Sequence, residues 1–400
     1  MTTTTTTPRQ VPGNVPHTDG GWGQTTARTI PVQTRSARPR SFVPADFARP
    51  TGLEVNWKQT PVARLAPLFD DVAGDAGAVG ISVTGPLAAA GLTVGQAPRG
   101  EVFEPEDLPS AIAWSRSAEA LYLAVPANEE LDEPVVVEFI GAAASLRAHA
   151  HVVIEARENS SATVILRHEG SAAFAQNVEI IVRPGARLNV VSVHRWDDDA
   201  VHAAAHQARV ERDGSLRHSV VSFGGGVVRV NPSVDLAGAG SEGEVYGLSF
   251  ADAGQHLESQ VYVHHRGPQT RADVLYKGAL QGVGARSVWI GDVLIGPDAT
   301  GTDSYEANRN LVLTEGARAD SIPNLEIETG DIQGAGHASA TGRFDDEQLF
   351  YLQARGISED EARRLVVIGF LAEIVQKLRV PDLEAELTAA IEAELAEGLA

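Results

Sequence analysis

The histidine His337 stands in the segment GAGHASATG, where every neighbouring residue is Gly, Ala, Ser or Thr. Such small residues let other backbone approach closely and leave an imidazole uncrowded. A neutral imidazole is a metal ligand near pH 7, because its unperturbed pKa is about 6.5. The chain has no cysteine, so its own metal chemistry depends on histidine and carboxylate side chains. His337 is therefore either a metal ligand or an ordinary exposed histidine in a turn.

Four further histidines are spaced as close pairs. His149 and His151 are two residues apart, which places both on one face of a strand. They are a possible two-ligand metal pair, although a solvent-facing strand is the more common meaning of this spacing. His264 and His265 are adjacent, so they point to opposite faces, and only one of them can belong to a buried site.

An acidic run precedes another pair, His202 and His206, in the segment WDDDAVHAAAHQ. Residues 197–199 have the composition of a loop tip. A metal site formed by these imidazoles with nearby carboxylates stays open as an alternative to a plain surface loop.

Sequence motifs for nucleotide binding and hydrolysis give no support to an enzyme. The segment GAGSEG at 238–243 matches G-x-G-x-x-G, but the EVYGLSF that follows predicts a strand instead of the helix that a pyrophosphate needs. The sequence contains no Walker A motif, no H-E-x-x-H and no G-x-S-x-G. We therefore predict a chain that does not bind ATP through a P-loop and does not hydrolyse it.

The composition excludes several classes of protein. The 400 residues are 43% hydrophobic and carry a formal net charge of −21, which argues against nucleic acid as a partner. There is no run of apolar residues long enough to span a membrane, and MTTTTTTPRQ lacks the apolar core of a signal peptide. We predict a cytoplasmic protein without membrane contact.

The elements that must position these residues are mainly strands. Residues 1–50 are rich in Thr, Pro and Arg and predict a disordered tail, and 51–119 predict a small, mainly helical region. Over 120–343, short Val- and Ile-rich strands alternate with Gly- and Asp-containing turns, as at Val178, Ile180 and Val182. Since no helical crossover interrupts them, a β-helix, a sandwich or a propeller remain, and the repeated small-residue turns favour a β-helix.

From residue 344 to 400 the apolar period becomes helical. Asp345 and Ser358 are predicted N-caps of two helices, and Gly356 is placed to end the first of them. A further acidic helix is predicted after Pro381. This switch predicts a separate C-terminal helical domain.

The motifs YKG, NRNL, P-x-LEI and DDEQLFYL-x-x-RGI occur together and in this order. Over about residues 255–379 the chain resembles the SufB/SufD family, the scaffold subunits of the SUF iron–sulfur cluster assembly system. The resemblance implies a right-handed parallel β-helix flanked by helical N- and C-terminal regions. The chain is most like SufD, because it is short and lacks the cysteine that SufB uses in cluster assembly.

The resemblance also implies a role for His337. Aligned through ATGRFDDEQ, His337 falls on the histidine with which SufD faces the cysteine of SufB, and the preceding TGDIQGAG is one residue longer than the usual pattern. A SufB-like paralogue bearing cysteine would be the partner, and a transient Fe–S cluster would form between the two chains. The chain alone would bind no cofactor, and a flavin requirement stays open.

The second implied partner is SufC, an ABC-type ATPase that docks on the C-terminal helices of the family. Apolar residues of the long helix are the candidate docking region: Leu365, Ile368, Phe370, Leu371 and Ile374.

Two other functions remain open. A β-helix carbohydrate-active enzyme would work through paired carboxylates or bound Ca²⁺. A SufB-like homodimeric scaffold would pair through a self-complementary edge, so a homodimer stays possible.

Overall fold

The computed structural model of the protein covers residues 38–343 and 346–397. Most of the predicted tail, together with Asp345, lies outside this range. Residues 38–50 correct the prediction of a disordered tail, because they pack against the rest of the chain. Arg40 forms an ion pair with Glu106, and the ring of Phe42 lies 4.7 Å from that of Trp114. Single anchoring residues of this kind leave no periodic pattern in the sequence.

One 16-stranded, mostly parallel sheet winds into a β-solenoid, which confirms the predicted fold class. The strands are β1 Val79–Thr84, β2 Ala90–Thr93, β3 Glu119–Val125, β4 Val135–Ala156, β5 Ser161–Val182, β6 Arg187–Trp196, β7 Val201–Val210, β8 Ser215–Phe223, β9 Val227–Leu236, β10 Glu242–Ala251, β11 His256–His265, β12 Arg271–Leu280, β13 Arg286–Ile295, β14 Thr302–Val312, β15 Arg318–Ile327 and β16 Ile332–Arg343.

Two ladders of parallel strands form the walls of the solenoid. The odd ladder runs β5–β7–β9–β11–β13–β15, and the even ladder runs β5–β6–β8–β10–β12–β14–β16. Strand β5 belongs to both because it turns a corner at Gly170, where φ is +75°, so its first half pairs with β6 and its second half with β7. Glycine adopts this φ without steric cost.

Alternate residues of each strand fill the interior, called here the bore. Val178, Ile180 and Val182 are fully buried there, as their alternation predicts. Many outward residues are also buried, because other elements cover them: apolar ones on the even ladder, such as Val191 and Leu248, and mostly polar ones on the odd ladder, such as Glu179 and Arg229. Where the C-terminal helices cover the even ladder, its wall is apolar on both faces, so its strands have less polar alternation than a half-exposed sheet.

The N-terminal region covers the odd ladder and contains less helix than predicted. Within 51–119 it has one α-helix, α1 Leu108–Arg116, a 3₁₀ turn at Ala66–Leu68, and the strands β1 and β2. Asp107 caps α1 by accepting a hydrogen bond from the Ser110 N–H. The prediction of a mainly helical region is wrong because β1 pairs antiparallel with β4, a tertiary contact that local sequence does not encode.

The C-terminal helices cover the even ladder. They are α2 Asp346–Gln353, α3 Glu359–Lys377 and α4 Pro381–Glu397. Ser358 caps α3, and Gly356 follows α2 at φ +87°, as predicted. Buried residues of α3 and α4 share one apolar core with outward residues of the even ladder, including Val221, Leu248 and Phe250. None of the helices in the described ranges has both the length and the apolar character to cross a membrane.

Candidate functional site

The C-terminal end of the solenoid is formed by the two last strands of the ladders. Strand β15 pairs only with β13, and β16 pairs only with β14, among the residues that the structure covers. Each therefore presents one edge of unpaired backbone N–H and C=O groups. Such an edge is a template for a strand of another chain.

A β-bulge at Gln333 sets the register of β16. Ile332 pairs with Thr302, whereas Gly334 pairs with the very next residue, Asp303, so Gln333 has no partner on β14. Past this bulge His337 pairs with Glu306. The bulge accommodates one extra residue in β16 relative to β14.

His337 and Glu306 are neighbours across this register. The Nδ1 atom of His337 lies 3.8 Å from the Glu306 Oε1 atom, and the two side chains are 45% and 1% exposed. Gly336 and Ala338 flank the imidazole, and it stands on a strand instead of in a turn. The histidine is thus held in a fixed position at the rim of the bore with one side open to solvent.

Glu306 is a buried acid, and within the described ranges neither of its carboxyl oxygens has a hydrogen-bond partner. Burial, followed by the negative charge of Asp292, raises the pKa of Glu306 to about 8. Its carboxyl group is therefore mostly protonated at pH 7, and a cation brought close to it would favour the carboxylate. Together, Glu306 and His337 place one oxygen and one nitrogen ligand beside each other.

The raised pKa predicts a stability that declines as the pH rises. Unfolded Glu306 ionises near its ordinary value of 4.5, while the folded protein keeps the proton up to about pH 8. This contribution is fully present below pH 4.5 and is lost progressively by pH 8. We expect Glu306→Gln to flatten the fall in Tm between pH 5.5 and 8.5, measured against wild type. An equal fall in both proteins would show that Glu306 is already ionised in the folded state.

His149 and His151 do not form a metal pair. The expectation of a solvent-facing strand is also wrong for His151, because the N-terminal region buries it. Its Nε2 atom lies 3.3 Å from the Glu179 Oε2 atom. His149 Nε2 lies 3.2 Å from the Val72 carbonyl oxygen. Both imidazoles have structural contacts, and within the described part of the chain neither belongs to a cluster of three ligand side chains.

The remaining predicted histidines lie on strands. His202 and His206 are buried on β7, inside the bore, and not in a loop. His264 is partly exposed and His265 is buried, which confirms their opposite directions. The sequence reasoning missed His194, which is buried on β6. The alternation of Leu188, Val190 and Ser192 could have revealed it, because the next residue in that alternation is His194.

The predicted docking residues divide between core and surface. Leu371 and Ile374 are fully buried against α4 and the even ladder, so they correct the predicted docking region. Ile368 and Phe370 pack partly against the same core, and Leu365 is 42% exposed. Two residues that the sequence reasoning missed are more exposed: Phe350 at 73% and Tyr351 at 55%.

Lys277 of the YKG motif fixes α3 on the solenoid. Its ammonium group donates a hydrogen bond of 2.7 Å to the Phe370 carbonyl oxygen and lies 2.7 Å from the Glu373 Oε2 atom. The same group lies 4.7 Å from the centroid of the Phe370 ring. A motif on β12 thereby determines where the C-terminal helices sit.

Comparison with known proteins decides the family. The family model of the SUF system FeS cluster assembly SufBD core domain matches residues 139–370. The chain belongs to the SufBD family. An iron–sulfur cluster assembly SufBD family protein of Mycobacterium bovis is 48% identical over 363 residues, covering 89% of this chain and 91% of that protein. One of Mycobacterium leprae is 47% identical over 363 residues, covering 89% and 93%.

A second SufBD family protein of Mycobacterium bovis is more distant. It is 29% identical over 261 residues, which cover 64% of this chain and 30% of that protein.

The NRNL motif of this SufBD family chain also has a structural role. Asn308 donates to the Tyr276 carbonyl oxygen, and Asn310 donates to Asn308 Oδ1 and to Thr341 on β16. These buried amides tie the last coil to the one before it.

Proposed function

We propose that this chain is a SufD-like subunit of a SufBCD-type scaffold for Fe–S cluster assembly. It pairs through the C-terminal end of its solenoid with a SufB-like paralogue and docks a SufC-type ATPase on its helices. The observation that carries the proposal is the position of His337 above Glu306, at the end where β15 and β16 both have free edges.

The free edges support pairing with another β-solenoid. An edge of 10 residues on β15 and one of 12 on β16 offer main-chain hydrogen bonds to a partner. Mycobacterium bovis carries two different SufBD family proteins similar to this chain. Pairing between two members of the family is therefore the arrangement that we favour over a homodimer.

The chemistry at the rim supports the placement of the cluster there. Iron in a nascent cluster takes thiolate and sulfide, and an imidazole can replace a thiolate. Because this chain has no cysteine, the partner supplies the sulfur ligands. The side chains around His337 are small, at Gly334, Gly336 and Ala338. Two backbones can therefore approach each other with a cluster between them.

The docking proposal rests on three exposed apolar residues, Phe350, Tyr351 and Leu365, called here the α2–α3 patch. Exposed aromatic side chains of this size are typical anchors of protein interfaces. Since Lys277 ties α3 to β12, movement of the docked ATPase would be transmitted to the solenoid. The SufC-type partner would supply the ATP hydrolysis.

Reconstitution tests this function. The purified chain is mixed with the SufB-like paralogue and the SufC-type ATPase of the same organism, and the complex is resolved by size-exclusion chromatography. We expect all three to co-elute, and the chain alone to hydrolyse no ATP. A stable homodimer that excludes the paralogue would instead favour the homodimeric scaffold.

A single charged substitution in the α2–α3 patch tests whether the patch binds the ATPase. Leu365→Glu is expected to weaken ATPase binding by about tenfold or more, because it places a carboxylate in an apolar contact. Val283→Glu, at a turn residue that is 78% exposed, is the matched control and should bind normally. Both variants should keep the wild-type Tm. Unchanged ATPase binding by Leu365→Glu would remove Leu365 from the interface.

The carbohydrate-active enzyme that the sequence left open is not proposed. Family membership is with Fe–S cluster assembly proteins, and no observation favours an enzyme.

A further inference from the structure

Three histidines meet inside the bore, far along the chain from His337. His168 on β5 and His194 on β6 are direct register partners, and His202 on β7 pairs with Phe174 on β5. All three are 0% exposed. One ring nitrogen of each lies within 4.8 Å of the others.

These rings have fewer hydrogen bonds than buried imidazoles require. Among the residues that the structure describes, neither nitrogen of His202 has a hydrogen-bond partner, and the Nδ1 atom of His194 also has none. The backbone of Phe174 is close enough to raise the pKa of His202 slightly. Even so, the His202 ring makes no hydrogen bond of normal geometry with it. Unsatisfied buried polar atoms destabilise a fold, so three in one place require an explanation.

The surroundings keep the three rings neutral. Burial lowers the pKa of His168 to about 4 and lowers the pKa values of His194 and His202 well below their usual range. Neutral imidazole is the form that donates a lone pair to a metal.

Hydrogen bonds also orient two of the rings. Nδ1 of His168 lies 3.0 Å from the Val193 carbonyl oxygen, and Nε2 lies 2.9 Å from the Gln176 Oε1 atom. Nε2 therefore has to exchange its contact with Gln176 for the ion. The Ser192 hydroxyl lies 3.0 Å from His194 Nε2. Such outer contacts are typical of histidines that bind metals.

We propose that His168, His194 and His202 form a buried binding site for one divalent transition-metal ion, with zinc as the best match. Three imidazoles suit Zn²⁺, and the chain offers no thiolate. This triad is distinct from the rim site of His337 and does not depend on the function proposed above. Its role is structural, since one ion would join β5, β6 and β7.

The rings must rotate to hold the ion. Zn–N bonds of 2.0–2.1 Å at tetrahedral angles place ligand nitrogens about 3.4 Å apart. The rings of His168 and His194 are stacked at 4.5 Å and 11°, so their lone pairs do not yet converge. His194, with a free Nδ1, is the ring that turns. The fourth ligand is water or hydroxide, and hydroxide also reduces the buried charge.

Metal analysis of the full chain tests the site. The purified protein is unfolded, stripped with a chelator, and refolded with or without Zn²⁺ or Co²⁺. We expect one equivalent of metal per chain, a higher Tm with metal, and the visible absorption of tetrahedral Co²⁺. His202→Phe, which keeps an aromatic ring among its aromatic neighbours, should lower the metal content about tenfold. His264→Ala, which removes a partly exposed imidazole of β11 outside both sites, should retain the full equivalent.

Two results would overturn the site. One is wild-type protein that refolds to the same Tm with and without Zn²⁺ and keeps no stoichiometric metal. The other is full metal content in both His202→Phe and His202→Gln. If His202→Phe fails to fold, the wild-type comparison and His202→Gln decide the question. Failure of the triad would leave the rim site untouched, because the His337→Ala variant is scored separately by cluster assembly.

Discussion

Replacing His337 by alanine is expected to abolish most cluster assembly and to leave the fold intact. The imidazole is 45% exposed and makes no hydrogen bond within the described structure beyond its approach to Glu306. Its loss should therefore change the free energy of unfolding by no more than about 0.5 kcal/mol. The cluster, however, would lose a ligand, so Fe–S enzyme activity in complemented cells should fall on the order of tenfold or more.

The matched control is His264→Ala, which removes a partly exposed imidazole from the outer face of β11. It should complement cells lacking the native gene as well as wild type. Thermal melts and co-elution with the paralogue are measured for both variants. Full complementation by His337→Ala would make His337 an ordinary rim residue. A variant that no longer pairs with the paralogue would show that the imidazole acts in assembly and not on iron.

Removing α2, α3 and α4 is expected to destroy the solubility of the solenoid. The sequence pattern presents these helices as a separable domain, but α3 and α4 share a core with six strands, β5 and the even-ladder strands β6 to β14. Truncation at residue 345 would expose the outward apolar residues of those strands, and large exposed apolar surfaces aggregate. The measurement is the soluble fraction and far-UV circular dichroism of the truncated chain.

Point variants separate this packing from partner binding. Leu371→Ala removes a fully buried side chain from the shared core and should destabilise the protein by about 2–5 kcal/mol. Leu365→Glu, on the exposed side of the same helix, should leave the Tm unchanged. A soluble, fully β-structured truncation product would show that the helices are an accessory domain after all.

The sequence is informative wherever a local pattern decides the structure. The alternation at Val178, Ile180 and Val182 gives the strands, and Ser358 and Gly356 give the helix limits. Each of these features depends on residues a few positions apart. The structure agrees with them because no distant contact competes with the local preference.

The sequence is uninformative wherever a second layer decides burial. His151 alternates like a solvent-facing residue, yet the N-terminal region covers it. Leu371 and Leu365 both belong to the apolar pattern of α3, although Leu371 lies in the core and Leu365 lies in the surface patch. Periodicity indicates which residues share a face. What covers that face depends on contacts between residues far apart in the chain, such as Lys277 with Phe370, which are 93 residues apart.

The two ends of the solenoid differ, and this difference limits how many chains an assembly can contain. At the N-terminal end the outermost strands are β1 with 6 residues and β2 with 4, both antiparallel to their neighbours. Short antiparallel strands are poor templates for a further parallel coil. Among the described strands, only those at the C-terminal end offer a long parallel edge, so the proposed pairing would use all of it. Raising the concentration then increases the number of pairs and not their length, and a solenoid of this design is protected from growing into a fibre.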